Sequence, residues 1–354
     1  MRKRNVCVLF GGVSPEHEVS LRSAECILTN IDREKNDVYA VGITREGKWI
    51  YFAPTDYSLL PKDVWAEAPG CCPCVLSPSR GDGLILFTPE GVRYQPIDVV
   101  FPVLHGENGE DGSMQGLMQV AGLPCVGPHV TASATCMDKT MTKLIIDRTS
   151  VRQAKWYLVT REDYEASPEA AISGVEAAFT YPVFVKPAGT GSSVGVSKAR
   201  DREALRAALV EALKYDRKVL VEEFIHGHEV EVAVLGNQAP VASVCGEIIA
   251  GADFYDYEAK YLSDCSRTVI PAELTEKQAQ NAREAAVTVY KAMGCRGLSR
   301  VDFFVTYEGG EIVFNEINTL PGFTSISMYP KLFEATGIPC PELIENLLEL
   351  AVQE

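Results

Sequence analysis

Arg300, Asp302, Glu316 and Asn318 are the residues whose types and spacing point most directly to chemistry. They lie in LSRVDFFVTYEGGEIVFNEIN, residues 298–318, where β-branched and aromatic residues flank Gly309-Gly310. That pattern predicts two strands joined by a tight turn. Side chains alternate faces along a strand, so Arg300 and Asp302 share one face, as do Glu316 and Asn318. With the turn at Gly309, Asp302 falls within about one residue of Glu316 across the ladder. Opposed carboxylates repel unless a cation lies between them, and a few hard oxygen donors suit Mg²⁺ held together with a phosphate. A solvated outer face of an edge hairpin is the plain alternative.

A second set of residues suits phosphate. In YPVFVKPAGTGSSVGV, residues 181–196, a strand delivers Lys186 to a Gly/Ser loop containing Ser192 and Ser193, and another strand follows. Backbone N–H groups free of side-chain bulk can wrap phosphate oxygens while a lysine supplies charge. The glycine spacing is neither that of the P-loop nor that of the dinucleotide fingerprint, which leaves a different phosphate cover or a plain hairpin turn. Residues 133–147 read as one helix with Lys139 and Lys143 an i,i+4 pair on one face, a position where lysines are ordinarily solvated. Glu222 and Glu223 close a strand over residues 219–224, where an acid can bind an adenine amino group or ribose hydroxyls, or can simply be an edge charge.

The elements that must position these groups fall into an ordered pattern. An apolar run, residues 5–10, ends in Gly11-Gly12 and is followed by a helix over residues 18–31, and a strand over residues 38–44 comes next. A buried strand, IDVVFPVL, ends in His105-Gly106-Glu107-Asn108-Gly109-Glu110-Asp111-Gly112. Such alternation predicts a mostly parallel sheet whose ligands sit beyond the carboxyl ends of its strands, the edge to which both glycine loops belong. Of Glu16 and Glu18, one suffices to complement the helix dipole and the other is available to a substrate ammonium. His105 fits equally a loop histidine satisfied by backbone and a functional one. Residues 250–268 have no clear period but carry Phe254, Tyr255, Tyr257, Lys260 and Tyr261, which reads as a lid. A helix over residues 275–293 leads into the hairpin, and two helices end the chain.

The 354 residues suffice for two or three domains, and 46% hydrophobic with 23% charged residues is an ordinary globular composition. A formal charge of −15 argues against nucleic acid or an anionic membrane as partner, so anionic substrates must be met locally. No run approaches the roughly 18 apolar residues of a spanning helix, and the short basic start feeds straight into a strand without a signal-peptide core, which predicts a cytoplasmic protein. The 11 cysteines favour reduced thiols over a disulfide framework, and Cys71, Cys72 and Cys74 lack a nearby second pair for zinc.

Taken together, HGENGEDG, MDK, KPAGTGSSVG, FYDYEAKYLSD, SRVDFF, NEINTLPGFT and SISMYP resemble, in order, the motifs of the D-alanine:D-alanine ligase family of the ATP-grasp superfamily, from Gly11 almost to the carboxyl end. The resemblance implies an α/β chain in three domains. These are an amino-terminal, mostly parallel α/β substrate domain over residues 1–127, a central ATP-grasp domain over 128–222, and a carboxyl-terminal one over 223–354 with the metal site and lid. It also implies that ATP phosphorylates one D-alanine carboxylate and that the amine of a second attacks the acyl phosphate. Lys139 and Lys186 would then hold ATP phosphates under a cover including Ser193, with Glu222, Glu223 and Glu229 near adenine and ribose. Lys260 would reach the γ-phosphate from the lid. Asp302, Glu316 and Asn318 resemble the ligands of two Mg²⁺ ions, replaceable by Mn²⁺, with Glu316 bridging. Glu16 would meet the first ammonium close to His105, linked to Ser192 and Tyr261. Arg300 and the Gly322 amide resemble the oxyanion donors, and Ser327 would contact the second carboxylate.

Two departures bear on the acceptor: Ala188-Gly189-Thr190-Gly191 precedes Ser192 where the family more usually has Arg-Glu or Asn-Leu, and Ile326 stands where histidine is frequent. D-serine therefore stays open as acceptor, whereas Tyr261 speaks against D-lactate. A homodimer is the expected assembly. A nucleotide-binding regulator without turnover is the competing class, disfavoured because simple binding would not need Arg300 beside the three metal ligands.

Overall fold

A computed structural model describes residues 2–191, 194–249 and 267–353 of the chain. The amino-terminal sheet comprises β1 (Arg4–Gly11), β2 (Asn36–Ile43), β3 (Trp49–Phe52), β4 (Cys72–Leu76), β5 (Leu84–Thr88), β6 (Gly91–Gln95) and β7 (Val99–Val103), in the order β6-β5-β4-β3-β2-β1-β7. The parallel part is β2-β1-β7. The cysteine-bearing stretch that reads as an irregular elaboration extends this sheet with antiparallel strands. Because β1 is buried on both faces it is almost continuously apolar. Val6, Val8 and Phe10 meet the helix His17–Asn30 through Leu21, Ala24, Ile27 and Leu28, while Cys7 and Leu9 face Met114 and Met118 of the helix Ser113–Ala121. The cysteines of the described residues are free thiols.

The second sheet holds β8 (Trp156–Thr160), β9 (Val183–Pro187), β10 (Ser197–Ala199) and β11 (Lys218–Glu223), all antiparallel, in the order β10-β9-β11-β8. Its core is closed by Ile172 and Val175 of one helix and Leu205 and Leu209 of another. The expected helix over residues 133–147 is two helices, Val130–Met137 and Lys139–Ile146. Asp138 takes a non-helical conformation between them and accepts hydrogen bonds from the N–H groups of Thr140 (2.9 Å) and Met141 (3.3 Å). An N-capping aspartate thus starts a new helix inside an apparently continuous pattern.

The third sheet holds β12 (Gly227–Leu235), β13 (Val241–Ile249), β14 (Arg267–Val269), β15 (Leu298–Thr306) and β16 (Ile312–Asn318), in the order β14-β13-β12-β15-β16. One face, with Val230, Val232, Val234, Val301 and Phe303, is covered by the helix Glu276–Ala292. That helix begins with a full capping box at Thr275 and Gln278. On the other face Ala233, Leu235 and Leu298 join the core of the amino-terminal sheet together with Phe323 and Tyr329. Among the described residues no helix is long and apolar enough to cross a membrane.

Candidate active site

The polar half of the third sheet's open face is built by strand register. Glu231 of β12 lies opposite Asp302 of β15, and Asp302 lies opposite Glu316 of β16, with Arg300 opposite Asn318 one step along. Three carboxylates therefore stand in a row on adjacent strands. The register shifts between Asp302 and Phe303, so that Phe303 pairs with Phe314 and Asn315 is the extra residue. Simple alternation would give Phe314 and Glu316 the same face. The bulge keeps Phe314 in the core with Ile317 and turns Glu316 to the open side, re-aiming a side chain at the cost of one unpaired position.

A cation does lie in the row. Arg300 Nε donates to Asp302 Oδ1 at 2.8 Å and its Nη2 to Oδ2 at 2.7 Å, while Nε is also 3.0 Å from Glu231 Oε2. Burial opposes the guanidinium charge, but Asp302, Glu231 and Glu316 more than offset it and push the Arg300 pKa upward. Glu231 was not foreseen as part of this group, although its alternation with Glu229 on β12 places it on the same face.

Across from the row, β9 presents Lys186. Its Nζ lies 2.6 Å from Glu222 Oε2 and donates to Asn315 Oδ1 at 3.1 Å. The other Glu222 oxygen is 2.6 Å from Lys143 Nζ. Lys143, expected on a solvated helix face, has a side chain only 2% exposed. Burial alone would raise the Glu222 pKa, yet the two ammoniums bring it down to about 2. Burial pulls against Lys186 as well, and Glu222, Glu316 and Glu229 hold it above its ordinary value. Glu222 is thus a buried clamp for two lysines. Glu223 points elsewhere and accepts from the Lys155 N–H at 2.9 Å. Glu229 stays half-buried on the cleft side of β12. Lys139 donates to the Thr190 carbonyl at 2.6 Å, and its own N–H bonds the Ala188 carbonyl, so it is moored to the Gly/Ser loop.

The third wall comes from the amino-terminal sheet. Glu16 occupies the N-cap position before His17–Asn30 but makes no side-chain capping bond. Its Oε2 would lie 2.6 Å from a Cβ on Gly106 and 3.2 Å from one on Gly191, so the carboxylate lies against both the His105 loop and the Gly/Ser loop. Glu18 instead pairs with Arg45 at the surface, 3.2 Å away. His105 bonds the Leu320 carbonyl through Nδ1 at 3.0 Å and has Ser23 Oγ 3.4 Å from Nε2. Burial lowers its pKa and outweighs the opposing pull of Glu16. Burial thus favours the neutral ring, and the Leu320 carbonyl requires Nδ1 to be the donor.

Glu110, a residue passed over in the sequence, ties this loop to the segment after β16. Its buried carboxyl accepts from the N–H groups of Gly106 (2.6 Å) and Leu320 (3.3 Å). Burial, with Glu16 nearby, raises its pKa to about 8. Asn318 Oδ1 accepts from the Leu320 N–H at 3.1 Å. Beyond it, Ser23 Oγ accepts from the Phe323 N–H at 3.1 Å, and Ser327 Oγ accepts from the Thr324 N–H at 3.0 Å. A Cβ on Gly322 would meet Ser327 Oγ at 2.8 Å, so Gly322 lies against Ser327. Ser192, Ser193, Lys260 and Tyr261, and the 250–268 loop apart from Arg267 and Thr268, lie outside the described residues.

The donor set suits Mg²⁺. Among the described residues no group of three His, Cys, Asp or Glu side chains forms a ready metal cage. Two opposed carboxylates and an amide are nonetheless what Mg²⁺ takes when phosphate and water complete its shell. Asp302 can serve Arg300 and a metal together, since an ionised carboxylate has about four lone-pair sites.

Comparison with known proteins bears on the family of the chain. A family model described as D-ala D-ala ligase N-terminus matches residues 5–128, and one described as D-ala D-ala ligase C-terminus matches residues 145–349. The chain is 50% identical to the D-alanine–D-alanine ligase of Acetivibrio thermocellus, covering 99% of this chain and 96% of that protein. It is 46% identical to the one of Caldicellulosiruptor bescii, covering 100% and 96%. Among solved structures, the VanG D-Ala:D-Ser ligase from Enterococcus faecalis superposes with a TM-score of 0.90 at 39% identity, over 99% of this chain and 100% of that one. The D-alanine-D-alanine ligase from Coxiella burnetii does so with a TM-score of 0.87 at 33% identity, over 99% and 94%.

Proposed function

The chain belongs to the D-alanine–D-alanine ligase family, and from that premise we propose that it joins two D-alanines to D-alanyl-D-alanine at the expense of ATP, for peptidoglycan precursor synthesis. One observation carries the reading: electrostatic contact links Lys186 to Glu316, Glu316 to Arg300, Arg300 to Glu110, and Glu110 to Glu16 beside His105, so that groups positioned by all three sheets meet. A carboxylate is a poor electrophile, and transfer of a phosphoryl group to it creates a leaving group. Glu16 would hold the first ammonium, with neutral His105 beside it. Lys139 and Lys186 would neutralise phosphate charge, and Glu229 would reach ribose. Glu222 and Glu223 would lie near adenine.

Asp302, Glu316 and Asn318 would hold Mg²⁺, two ions in this reading, which supplies charge neutralisation for the transferring phosphoryl group. Arg300 and the Gly322 amide would face the oxyanion that forms when the second amine attacks the acyl phosphate. A donor so placed is worth on the order of 3 kcal/mol in the transition state. Ser327 would take the carboxylate of the second D-alanine. Three domains over residues 1–127, 128–222 and 223–354 are part of the same reading, supported by the three separate sheets. A homodimer and a cytoplasmic location are carried over on the resemblance alone.

D-alanine is the acceptor chosen here because full-length relatives at 50% and 46% identity bear that name, whereas the D-serine ligase likeness is at 39%. The test is incubation with MgATP and D-alanine, D-serine or D-lactate, singly and mixed, with products identified by mass. D-alanyl-D-alanine should dominate with one phosphate released per dipeptide. Predominance of D-alanyl-D-serine overturns the acceptor, and absence of phosphate release with every substrate overturns the enzyme.

A further inference from the structure

Glu231 stands opposite Asp302 across β12 and β15, and both side chains are nearly enclosed, 7% and 6% exposed. Two carboxylates facing each other across a ladder repel. The group that reconciles them is Arg300, whose Nε lies 3.0 Å from Glu231 and 2.8 Å from Asp302. Asp302 alone would be enough to neutralise this guanidinium, since it already takes two parallel hydrogen bonds from it. A second buried acid on the opposite strand is costly unless it has a task that Asp302 cannot perform.

That task follows from the demands on Asp302. In the reading given above it is both the bidentate partner of Arg300 and a ligand of Mg²⁺. Once it gives electron density to a dication, its hold on the guanidinium weakens, and an arginine with four rotatable side-chain bonds is free to swing with it. The geometry points to Glu231 as the positioning residue that anchors Arg300 from β12, so that Asp302 turns to the metal without Arg300 leaving the reacting carbonyl. In this role Glu231 has no need to touch substrate or metal. It acts through Arg300, and the inference rests on Arg300 being the group that meets the oxyanion.

The anchor separates two jobs that a lone Asp302 would have to trade against each other. Without Glu231 the guanidinium claims Asp302 for itself, so the metal is held less well, and what the metal gains the guanidinium loses in position. Both deficits should appear together in one variant.

The experiment is a double-mutant cycle between Glu231→Ala and Arg300→Lys, read by turnover and by Mn²⁺ binding in the presence of ADP, followed from the free-ion spin-resonance signal. Glu231→Ala should lower kcat about tenfold, a part of the roughly 100-fold that loss of an oxyanion donor costs. It should leave the KM for ATP within about twofold and weaken Mn²⁺ binding about threefold, as expected of residues acting in one network. In the Arg300→Lys background, adding Glu231→Ala should change kcat by less than about twofold. An unchanged kcat and Mn²⁺ affinity in Glu231→Ala overturns the inference, as does a full tenfold further loss in the Arg300→Lys background. Glu231→Gln, equal in shape and still an acceptor, should fall between wild type and alanine; it carries the same cycle should the alanine variant not fold. Wild-type protein that makes no dipeptide would refute the functional reading, while Mn²⁺ binding in the variants would still report on Glu231.

Discussion

Removing the carboxylate charge of Glu222 should destabilise the protein more than any other single charge change around the cleft. Its two oxygens each lie 2.6 Å from an ammonium, and its side chain is 5% exposed. A pKa brought from 4.5 to about 2 is roughly 2.5 units, which at about 1.4 kcal/mol per unit is on the order of 3 kcal/mol. The folded value is depressed, so this stability is fully present above about pH 4.5 and is lost as pH falls towards 2. Glu222→Gln also leaves Lys143 and Lys186 facing each other without an anion, and breaking a buried ion cluster in this way costs about 3–5 kcal/mol. Lys143→Met is the control: it leaves Glu222 paired with Lys186 and replaces an enclosed ammonium by an apolar chain of similar length, so its cost should stay under about 2 kcal/mol. Urea unfolding of the three proteins at pH 7, followed by tryptophan fluorescence, ranks them. A Glu222→Gln variant within about 1 kcal/mol of wild type, or one more stable than Lys143→Met, refutes the clamp.

Glu316→Gln should keep the fold and abolish phosphate release, and near-normal turnover would refute its assignment to Mg²⁺. Gly106→Ala places a Cβ 2.6 Å from Glu16 Oε2 at a residue with φ +70°, so Glu16 must move; the KM for the first D-alanine should rise about tenfold, about 1.4 kcal/mol, with ATP binding measured by calorimetry unaltered. For Glu110 the folded pKa, about 8, lies above the ordinary 4.5, so its contribution is present below about pH 4.5 and declines as pH rises to 8. Unfolding midpoints should therefore fall between pH 5.5 and 8 in wild type and flatten in Glu110→Gln; parallel slopes would show that Glu110 is ionised throughout.

Much of the cleft was legible because strand alternation fixes which residues share a face. Arg300 with Asp302 and Glu316 with Asn318 follow from a period of 2, and the Gly309-Gly310 turn brings Asp302 within about one residue of Glu316. Glu231 was equally accessible by that rule. The bulge at Asn315 was not, since nothing local in IVFNEIN marks where the ladder slips, and Asn315 reaches Lys186 only because of it. Helical Lys143 misled for a different reason: the i,i+4 spacing with Lys139 says that both lie on one side of a helix, not whether that side meets water or Glu222. Asp138 hid the helix break because a capping residue is also an ordinary polar surface residue. Glu16 and Glu18 are told apart by neighbours distant in sequence: Glu16 lies against Gly106 and Gly191, whereas Glu18 pairs with Arg45.

The same alternation also explains why the walls of the cleft differ in how they are held. On β12 and β15 a single face runs from acid to apolar: Glu229 and Glu231 give way to Ala233 and Leu235, and Asp302 and Arg300 to Leu298. Arg300 is thus one strand repeat, roughly 7 Å, from a residue of the core that the third sheet shares with the amino-terminal sheet. Glu16, one residue before the helix whose Leu21 and Ala24 belong to that core, is fixed to the same frame. Lys186 is not. Its sheet closes a core of its own, and it meets the third sheet through polar contacts such as Asn315. An apolar core shared by two sheets resists displacement, whereas small polar contacts between units with separate cores leave relative motion as the default. The spacing between Glu16 and Arg300, which would hold the two ends of the first D-alanine, is therefore set before any ligand arrives, and adjustment to the length of a nucleotide falls to the wall that carries Lys186.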